Sequence, residues 1–319
     1  MQQTKTWQER TMELYHKGLR ECEIVRQVEQ EFNRSGMRNN VHSHLSRHKN
    51  DIPKPTSAPR VIIENFEPNH IENKWDGTEE LKFAIISDTH LGSKYTQFTY
   101  LHQFYDLCVE RGIKDVYHAG DITDGLKMRR GHEYEVYTVS ADELREDVIK
   151  NYPKRDGITT HFIGGNHDIT IFKHVGYDIC KGIANGRSDM KYLGQDCAVV
   201  NLTPNCTLEL SHPWDGSAYS ISYKPQKRIE AMESDSKPNI LAIGNYHKAE
   251  YLFYRNVHCL QTGCFQAQTP FERGKNISVH MGGWIVTIRV DKNGYIHSFA
   301  PEFIPFYKSI TDDYKSFMK

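Results

Sequence analysis

The chain has 319 residues, and its 40 Lys and Arg residues nearly balance its 41 Asp and Glu residues, giving a formal net charge of -1. This balance excludes a globally basic protein, so any affinity for nucleic acid must be local. The length exceeds that of one ordinary domain, so we expect one full-sized domain with a small appendage. No stretch approaches the roughly 18 apolar residues of a membrane span, and no membrane partner is expected. Seven cysteines without a C-x-x-C pair favour reduced thiols in a cytoplasmic protein.

Residues 1–50 predict a small all-α domain. Apolar residues recur at helical intervals, and breaks at Gly18 and at residues 33–36 divide the segment into three short helices. The segment is similar to a helix-turn-helix module, with residues 37–48 as the recognition helix. Its outward face would present side chains of the types that contact bases or phosphates: Arg38, Asn39, His42 and Arg47. A protein-interaction or oligomerisation bundle is the alternative interpretation.

Residues 51–80 are predicted to be a linker, because prolines at 53, 55, 59 and 68 interrupt them and only residues 60–63 read as a possible strand. The large domain is then expected to span residues 81–319. From Leu81 onward, short buried-strand runs alternate with amphipathic helices such as residues 98–110. This alternation predicts a layered α/β domain.

Five of the predicted strands each lead into Asp, His or Asn. The strand-to-loop segments are 84–92, 116–125, 161–168, 208–213 and 240–247. Because ligands bind at the carboxyl ends of strands in layered α/β folds, we expect these loops to converge on one site. Carboxylate, imidazole and amide ligands without a thiolate favour Mn, Fe, Zn or a mixed pair. Two such ions about 3.5 to 4 Å apart would hold a hydroxide between them and bind phosphate oxygens during in-line displacement.

The order of these motifs resembles that of the calcineurin-like metallophosphoesterase superfamily, over roughly residues 81–300. The motifs are D-x-H at 88–90, G-D-x-x-D at 120–124, G-N-H-D at 165–168, a single His at 212 and G-x-x-H at 244–247. The resemblance implies a layered β-sandwich flanked by helices and a two-metal site. Its implied ligands are Asp88, His90 and His247 for the first ion, Asp121 as a bridge, and Asn166 and His212 for the second ion.

The resemblance also implies roles for residues that are not ligands. His167 would stabilise or protonate the leaving oxygen, Asp168 would orient His167, and Asp124 would support the ligands. The family commonly has His at the position of Asn245, which is therefore either a weaker amide ligand of the second ion or a turn residue. Manganese is the expected metal, with Fe, Zn and Mg as alternatives.

Two arginine features bear on the substrate. Protein Ser/Thr phosphatases of this superfamily carry Arg after the second motif, whereas Gly125 follows Asp124 in this chain. The sequence therefore resembles the phosphodiesterase and nuclease branch instead. Arg129 and Arg130, just beyond the second motif, are candidate contacts to substrate phosphates, with a solvated charged loop as the alternative.

The sequence thus favours a metal-dependent phosphodiesterase that acts as a nuclease on DNA. One alternative is a nucleotide or cyclic-nucleotide phosphoesterase, and another is a DNA-binding protein with a weakened phosphoesterase site. Trp214, Tyr219 and Tyr223 follow His212 and are candidates either for stacking on a base or for ordinary packing.

Overall fold

The computed structural model describes residues 6–17, 19, 21–48, 69–72, 75–234 and 236–318. The chain divides into two compact units, Met1–Phe66 and Glu67–Lys319. Within the described ranges, no helix is both long enough and apolar enough to cross a bilayer. All seven cysteines are free thiols.

The small unit contains three helices, α1 Trp7–His16, α2 Glu21–Glu31 and α3 Arg38–Arg47, which confirms the expected all-α N-terminal domain. A capping box formed by Thr6 and Glu9 begins α1. Six buried side chains make the core: Leu14, Ile24, Val28, Met37, Val41 and Leu45. Arg10 joins α1 to α2, because its Nε and Nη2 donate to the Glu31 carboxylate at 2.7 and 2.6 Å. The break predicted at Gly18 lies outside the described residues.

The large unit is built from strands and from helices that cover them. The strands are β1 Asn69–Glu72, β2 Glu80–Ile86, β3 Asp115–His118, β4 Thr159–Gly164, β5 Met190–Gln195, β6 Cys197–Thr203, β7 Cys206–Ser211, β8 Ile240–Ile243, β9 Ala249–Tyr254, β10 Val257–Thr262, β11 Gly282–Val290 and β12 Ile296–Pro305. The helices are α4 Phe98–Glu110, α5 Ala141–Asn151, α6 Asp168–Val175, α7 Ile179–Gly186, α8 Tyr223–Ala231 and α9 Pro270–Gly274, with 3₁₀ turns at His132–Tyr134 and Asp313–Ser316.

The strands form two six-stranded sheets, in the orders β1-β6-β7-β8-β10-β9 and β12-β11-β2-β3-β4-β5. In the second sheet β2, β3, β4 and β5 are parallel to one another, and β11 is antiparallel to β2. Strand β2 is apolar on both faces: Phe83 and Ile85 join the core that contains β7 and β8 side chains, while Ala84 and Ile86 pack with α4. A strand buried on both faces reads as a continuous apolar run. The expected α/β sandwich flanked by helices is confirmed.

The predicted linker is too long at its C-terminal end. Strand β1 lies inside residues 51–80 and pairs in parallel with β6, from Asn69 beside Ala198 to Glu72 beside Asn201. Strand β2 also begins one residue before the expected start of the domain, at Glu80. The sequence gives no signal for β1 because it is a four-residue edge strand in which only Ile71 is even partly buried. The prolines at 53, 55, 59 and 68 and the possible strand at 60–63 lie outside the described residues.

Candidate metal centre

Loops from both sheets bring the predicted ligands together. Strands β2, β3 and β4 of one sheet lead to residues 88–90, 121 and 166, and strands β7 and β8 of the other sheet lead to residues 212 and 247. Backbone hydrogen bonds join neighbouring loops: Asp88 N–H donates to Gly120 O at 2.9 Å, and Gly244 N–H donates to Ser211 O at 3.0 Å. The site therefore lies where the carboxyl ends of strands from both sheets meet.

Several of these loop residues adopt left-handed backbone conformations that residues other than glycine rarely adopt. The φ angles are 53° at Asp88, 48° at His90, 57° at Asp121, 73° at Asn245 and 53° at His247. Each such residue costs on the order of 1–3 kcal/mol and persists only where its surroundings fix it. The chain thus holds these side chains in place at the expense of local backbone strain.

The first cluster comprises Asp88, His90 and His247. The two imidazoles face each other with Nε2 atoms 3.1 Å apart, and Asp88 Oδ1 lies 3.7 Å from His90 Nε2 and 3.4 Å from His247 Nε2. Both rings are fixed from behind by carboxylates, since His90 Nδ1 is 3.0 Å from Asp124 Oδ1 and His247 Nδ1 is 2.8 Å from Glu272 Oε1. In neutral rings held this way, both Nε2 lone pairs point at each other, an arrangement that a bound cation stabilises.

The second cluster comprises Asp121, Asn166 and His212. His212 Nδ1 donates to Ala119 O at 2.7 Å, and a carbonyl oxygen can only accept. In a neutral ring, the lone pair of His212 Nε2 therefore faces Asn166 Oδ1 at 2.9 Å and Asp121 Oδ2 at 3.1 Å. The ligand atoms of Asp88 also lie within 4.8 Å of those of Asp121 and His212, so Asp88 and Asp121 both lie between the clusters. The donor set of carboxylate, imidazole and amide oxygen fits a pair of divalent cations.

Glycines let the loops approach this closely. A Cβ on Gly120, whose φ is 93°, would overlap the His212 ring, and a Cβ on Gly165 would overlap the Asp121 carboxylate. Any side chain at these two positions would displace a ligand, so only glycine fits there.

The site is buried and strongly negative, which shifts its pKa values. Burial by itself lowers the pKa of His90, but hydrogen bonds to Asp124 and Asp88 outweigh burial and raise that pKa to about 10. Burial likewise lowers the pKa of His212, and the nearby Asp121 carboxylate raises it to about 9. Burial raises the pKa of Asp121, but His212 and His167 bring it down to about 2. These shifts show that the cavity favours positive charge.

Asp168 does not orient His167, contrary to expectation. Its buried carboxylate instead accepts from the backbone N–H groups of Gly165, Ile122 and Thr123 at 2.9, 3.2 and 2.8 Å and from the Thr123 hydroxyl at 2.7 Å. Asp168 is the first residue of α6. From there its side chain reaches Ile122 and Thr123 in the loop after β3 and not the His167 ring. It therefore ties the second and third motifs together.

Asp124, and not Asp168, is the residue that contacts and orients the His167 ring. His167 Nδ1 donates to the Asp124 backbone oxygen at 2.8 Å and lies 3.3 Å from Asp124 Oδ1. The same carboxylate contacts His90 and, through Oδ2 at 3.1 Å, His132 Nε2. Asp124 therefore connects three imidazoles, and these contacts hold its pKa well below the usual value despite burial, which raises it.

Two residues of the site were missed by sequence reasoning. His132 is buried in the 3₁₀ turn after the second motif, and a lone His in a loop carries no signal. Glu272 occupies the capping box that begins α9, where Thr269 N–H and Oγ donate to its Oε2 at 2.8 and 3.0 Å. The T-x-x-E pattern signals a helix start, but it does not reveal that Oε1 of Glu272 reaches His247.

Asn245 contacts the site through its backbone. Its N–H donates to Asp88 Oδ1 and Oδ2 at 3.1 and 3.0 Å, and its side-chain amide donates to Asp215 O at 2.6 Å. These contacts, with the left-handed φ, favour the turn interpretation. Arg129 lines the cavity beside the metal centre and stacks 4.2 Å above the Phe271 ring. Arg130 is exposed and does not line that cavity.

The four candidate DNA contacts of the small unit are all exposed on α3: Arg38, Asn39, His42 and Arg47. His42 Nδ1 lies 3.1 Å from Glu21 Oε1 of α2, and Arg47 Nε donates to Ser43 O at 3.2 Å. Val41 and Leu45 occupy the opposite, buried face of the same helix. DNA contact by this face stays a prediction.

The sandwich and the two side-chain clusters are those of a metallophosphoesterase-type domain. The family model for calcineurin-like phosphoesterases matches residues 81–256, more than half of the chain, so the chain belongs to the calcineurin-like phosphoesterase family. The family expected from the motifs is thereby confirmed.

Among curated proteins, the chain is similar to the DNA polymerase II small subunits of Methanothermobacter thermautotrophicus and Methanocaldococcus jannaschii. Identity is 23% to both, over 68% and 72% of this chain and 54% and 43% of the relatives. The chain thus spans about half the length of these relatives. Among solved structures, an archaeal phosphodiesterase aligns with a TM-score of 0.40 and 11% identity, over 70% of this chain and 100% of that one.

Proposed function

We propose that this chain is a metal-dependent phosphodiesterase that acts as a nuclease on DNA, with manganese as its metal. The observation that carries the proposal is the convergence of imidazole and carboxylate lone pairs in two adjoining clusters, beside a cavity of about 290 Å³. Two bound cations would supply Lewis-acid stabilisation of the phosphate oxygens and activation of the attacking water. Their proposed ligands are Asp88, His90 and His247 for one ion, Asn166 and His212 for the other, and Asp121 between them.

His167 is proposed to handle the proton on the leaving oxygen. Its Nδ1–H is held by the Asp124 carbonyl, which leaves Nε2 as the atom that accepts or donates a proton, and the ring lines the metal cavity. A positioned imidazole of this kind contributes about 10²–10⁴-fold to rate. Asp124 keeps the ring in this tautomer through the same contact.

Nucleic acid is the proposed substrate class for two reasons. The two curated relatives are named as DNA polymerase small subunits, and α3 of the small unit exposes Arg38, Asn39, His42 and Arg47 on one element. Arg129, stacked on Phe271 in the cavity wall, is proposed to contact a substrate phosphate. Arg130 is a weaker candidate because it lies outside the cavity lining.

Hydrolysis of bis(p-nitrophenyl) phosphate tests the activity. With Mn²⁺ we expect turnover by the wild type and by a control, His174→Ala, which removes an exposed imidazole of α6, the helix that follows His167. His167→Ala is expected to lower kcat by about 10²–10⁴-fold. Absence of turnover by the wild type with every divalent metal tried would refute the proposal.

A DNA-binding protein with a weakened phosphoesterase site is the second candidate, favoured by Asn245 at the position where the family has His. The salt dependence of DNA binding tests the contact between α3 and DNA independently of hydrolysis. Arg38→Ala with Arg47→Ala should reduce the slope of log K against log salt by about 0.9 per lost phosphate contact. Arg26→Ala on α2, also exposed, is the control and should leave the slope unchanged. Equal slopes in all variants would remove α3 as a DNA contact.

A further inference from the structure

A second cavity adjoins the metal centre. Its volume is about 530 Å³, and it shares Ser217 and Ile277 with the metal cavity. Its lining also contains Tyr219, Lys248, Lys275 and His280 but no Asp or Glu side chain. The metal cavity and this lysine cavity are therefore neighbours on the surface of the large unit.

Both lysines present positive charge that no carboxylate of the described residues neutralises. Lys248 Nζ donates to Ser278 O and Oγ, each at 2.6 Å, which fixes the ammonium without removing its charge. Glu272 is the carboxylate that acts on Lys248 electrostatically, and its two oxygens are bonded to His247 and Thr269. Lys275 is exposed, and in the described part of the chain its Nζ has no hydrogen bond or ion pair. The cavity therefore favours an anion.

An aromatic ring stands beside these charges. The Tyr219 side chain is fully exposed, with a relative accessibility of 108%, and within the described ranges its ring contacts no other aromatic ring or cation. An exposed phenol ring beside uncompensated ammonium groups offers a stacking face for a base and a partner for its phosphate. Sulfate or inorganic phosphate would use only the ammonium groups.

We infer that the lysine cavity binds the unpaired nucleotide next to the scissile phosphodiester of a single-stranded nucleic acid. The inference rests on the proposed function, since the metal cavity must hold that phosphodiester. Tyr219 stacks on the base, and Lys248 and Lys275 contact the neighbouring phosphate. A single strand is required because both faces of a base inside a duplex are already stacked on its neighbours, which leaves none for Tyr219.

Binding of a short fluorescein-labelled oligothymidylate with a non-hydrolysable phosphorothioate backbone to the full chain in Mn²⁺ tests this inference without turnover. All variants carry Arg38→Ala and Arg47→Ala, so that α3 does not mask the effect. We expect Tyr219→Ala to weaken binding by roughly 5- to 100-fold. Lys275→Ala should reduce the salt slope by about 0.7. Binding of the matching duplex should change by less than about twofold in either variant.

Tyr307 and Lys308 provide a matched control, because both are exposed neighbours that line neither cavity. Tyr307→Ala and Lys308→Ala should bind the single strand as the parent does. The inference is overturned if they lose as much affinity as the Tyr219 and Lys275 variants, if the latter lose none, or if the duplex loses affinity equally. Bis(p-nitrophenyl) phosphate hydrolysis by Tyr307→Ala and by Lys308→Ala should match that of the wild type. Failure of the wild type to hydrolyse this diester would refute the proposed function, while the binding result would still decide the cavity's role.

Discussion

The two halves of the metal centre differ in what supports their imidazoles. In the first cluster, Asp124 and Glu272 stand behind His90 and His247 at 3.0 and 2.8 Å. In the second cluster, His212 is supported by the neutral carbonyl of Ala119. A carboxylate behind an imidazole raises its basicity as a ligand more than a carbonyl does. We therefore expect the first half to be the stronger cation site. We expect the second half to depend more on the carboxylates that the two halves share.

Asp121 lies between the halves, so its removal should affect both. Asp121→Asn is expected to lower kcat/KM by about 10³-fold or more, because a central electrostatic contact to the reacting group is lost. Metal content measured by plasma emission spectrometry should fall for both ions. Asp106→Asn, which removes a surface carboxylate paired with Arg155, is the control. Full retention of two ions by Asp121→Asn would contradict a position of Asp121 between the two clusters.

Glu272 should matter to the first half alone. Glu272→Gln is expected to weaken the tighter ion by about 10- to 100-fold, since partners behind a ligand have effects of this size. Isothermal titration with Mn²⁺ measures both affinities. Thr269→Ala removes the capping hydroxyl of α9 and leaves the Glu272–His247 contact, so it separates loss of helix capping from loss of ligand support. Weakening of both ions alike would contradict the assignment.

The second half should gain from an imidazole at position 245. His tolerates the left-handed backbone found there better than most residues. The Asn245 amide donates to Asp215 O, whereas an imidazole at this position would add a ligand. We therefore expect Asn245→His to tighten the weaker ion by about tenfold. Asn256→His is the matched control, because Asn256 has a similar φ of 66° in the turn between β9 and β10. No change in the second affinity would show that position 245 does not face that ion.

His132 contacts Asp124, which in turn contacts His90 of the first cluster. A substitution at His132 therefore tests whether this more distant contact affects metal affinity. His132→Gln should destabilise the chain by about 1–3 kcal/mol, because Asp124 Oδ2 loses its buried partner. Asp124 Oδ1 still contacts His90, so the first ion should weaken by less than about tenfold. Urea unfolding and metal titration measure the two effects, with the exposed His297→Gln as control. If His132→Gln weakened the first ion more than Glu272→Gln does, His132 would contribute more to that ion's affinity than Glu272.

The predictable part of the molecule follows from local periodicity. Strands β2, β3, β4, β7 and β8 read as apolar runs that stop at polar residues, and carboxyl ends of strands meet at one edge, so the convergence of the ligands could be expected. Helix α4 likewise occupies the residues predicted for it, 98–110.

The remaining features depend on contacts that carry no periodic signal. Glu272 reaches His247 across 25 positions of sequence from a five-residue helix. Asp168 and Asp124 are the same residue type in neighbouring motifs, and only the fold decides that Asp168 faces backbone N–H groups while Asp124 faces imidazoles. Strand β1 is recognisable only by its partner β6.

The left-handed backbones of the ligand loops link metal binding to thermal stability. Five residues of this kind store about 5–15 kcal/mol in total if each costs about 1–3 kcal/mol. Relaxation of the loops would release that energy but would also disrupt the ligand geometry. We expect divalent ions to bind the strained arrangement and not the relaxed one, so that the melting temperature rises with their concentration by mass action. We therefore expect ion binding to slow amide hydrogen exchange most strongly in these loops.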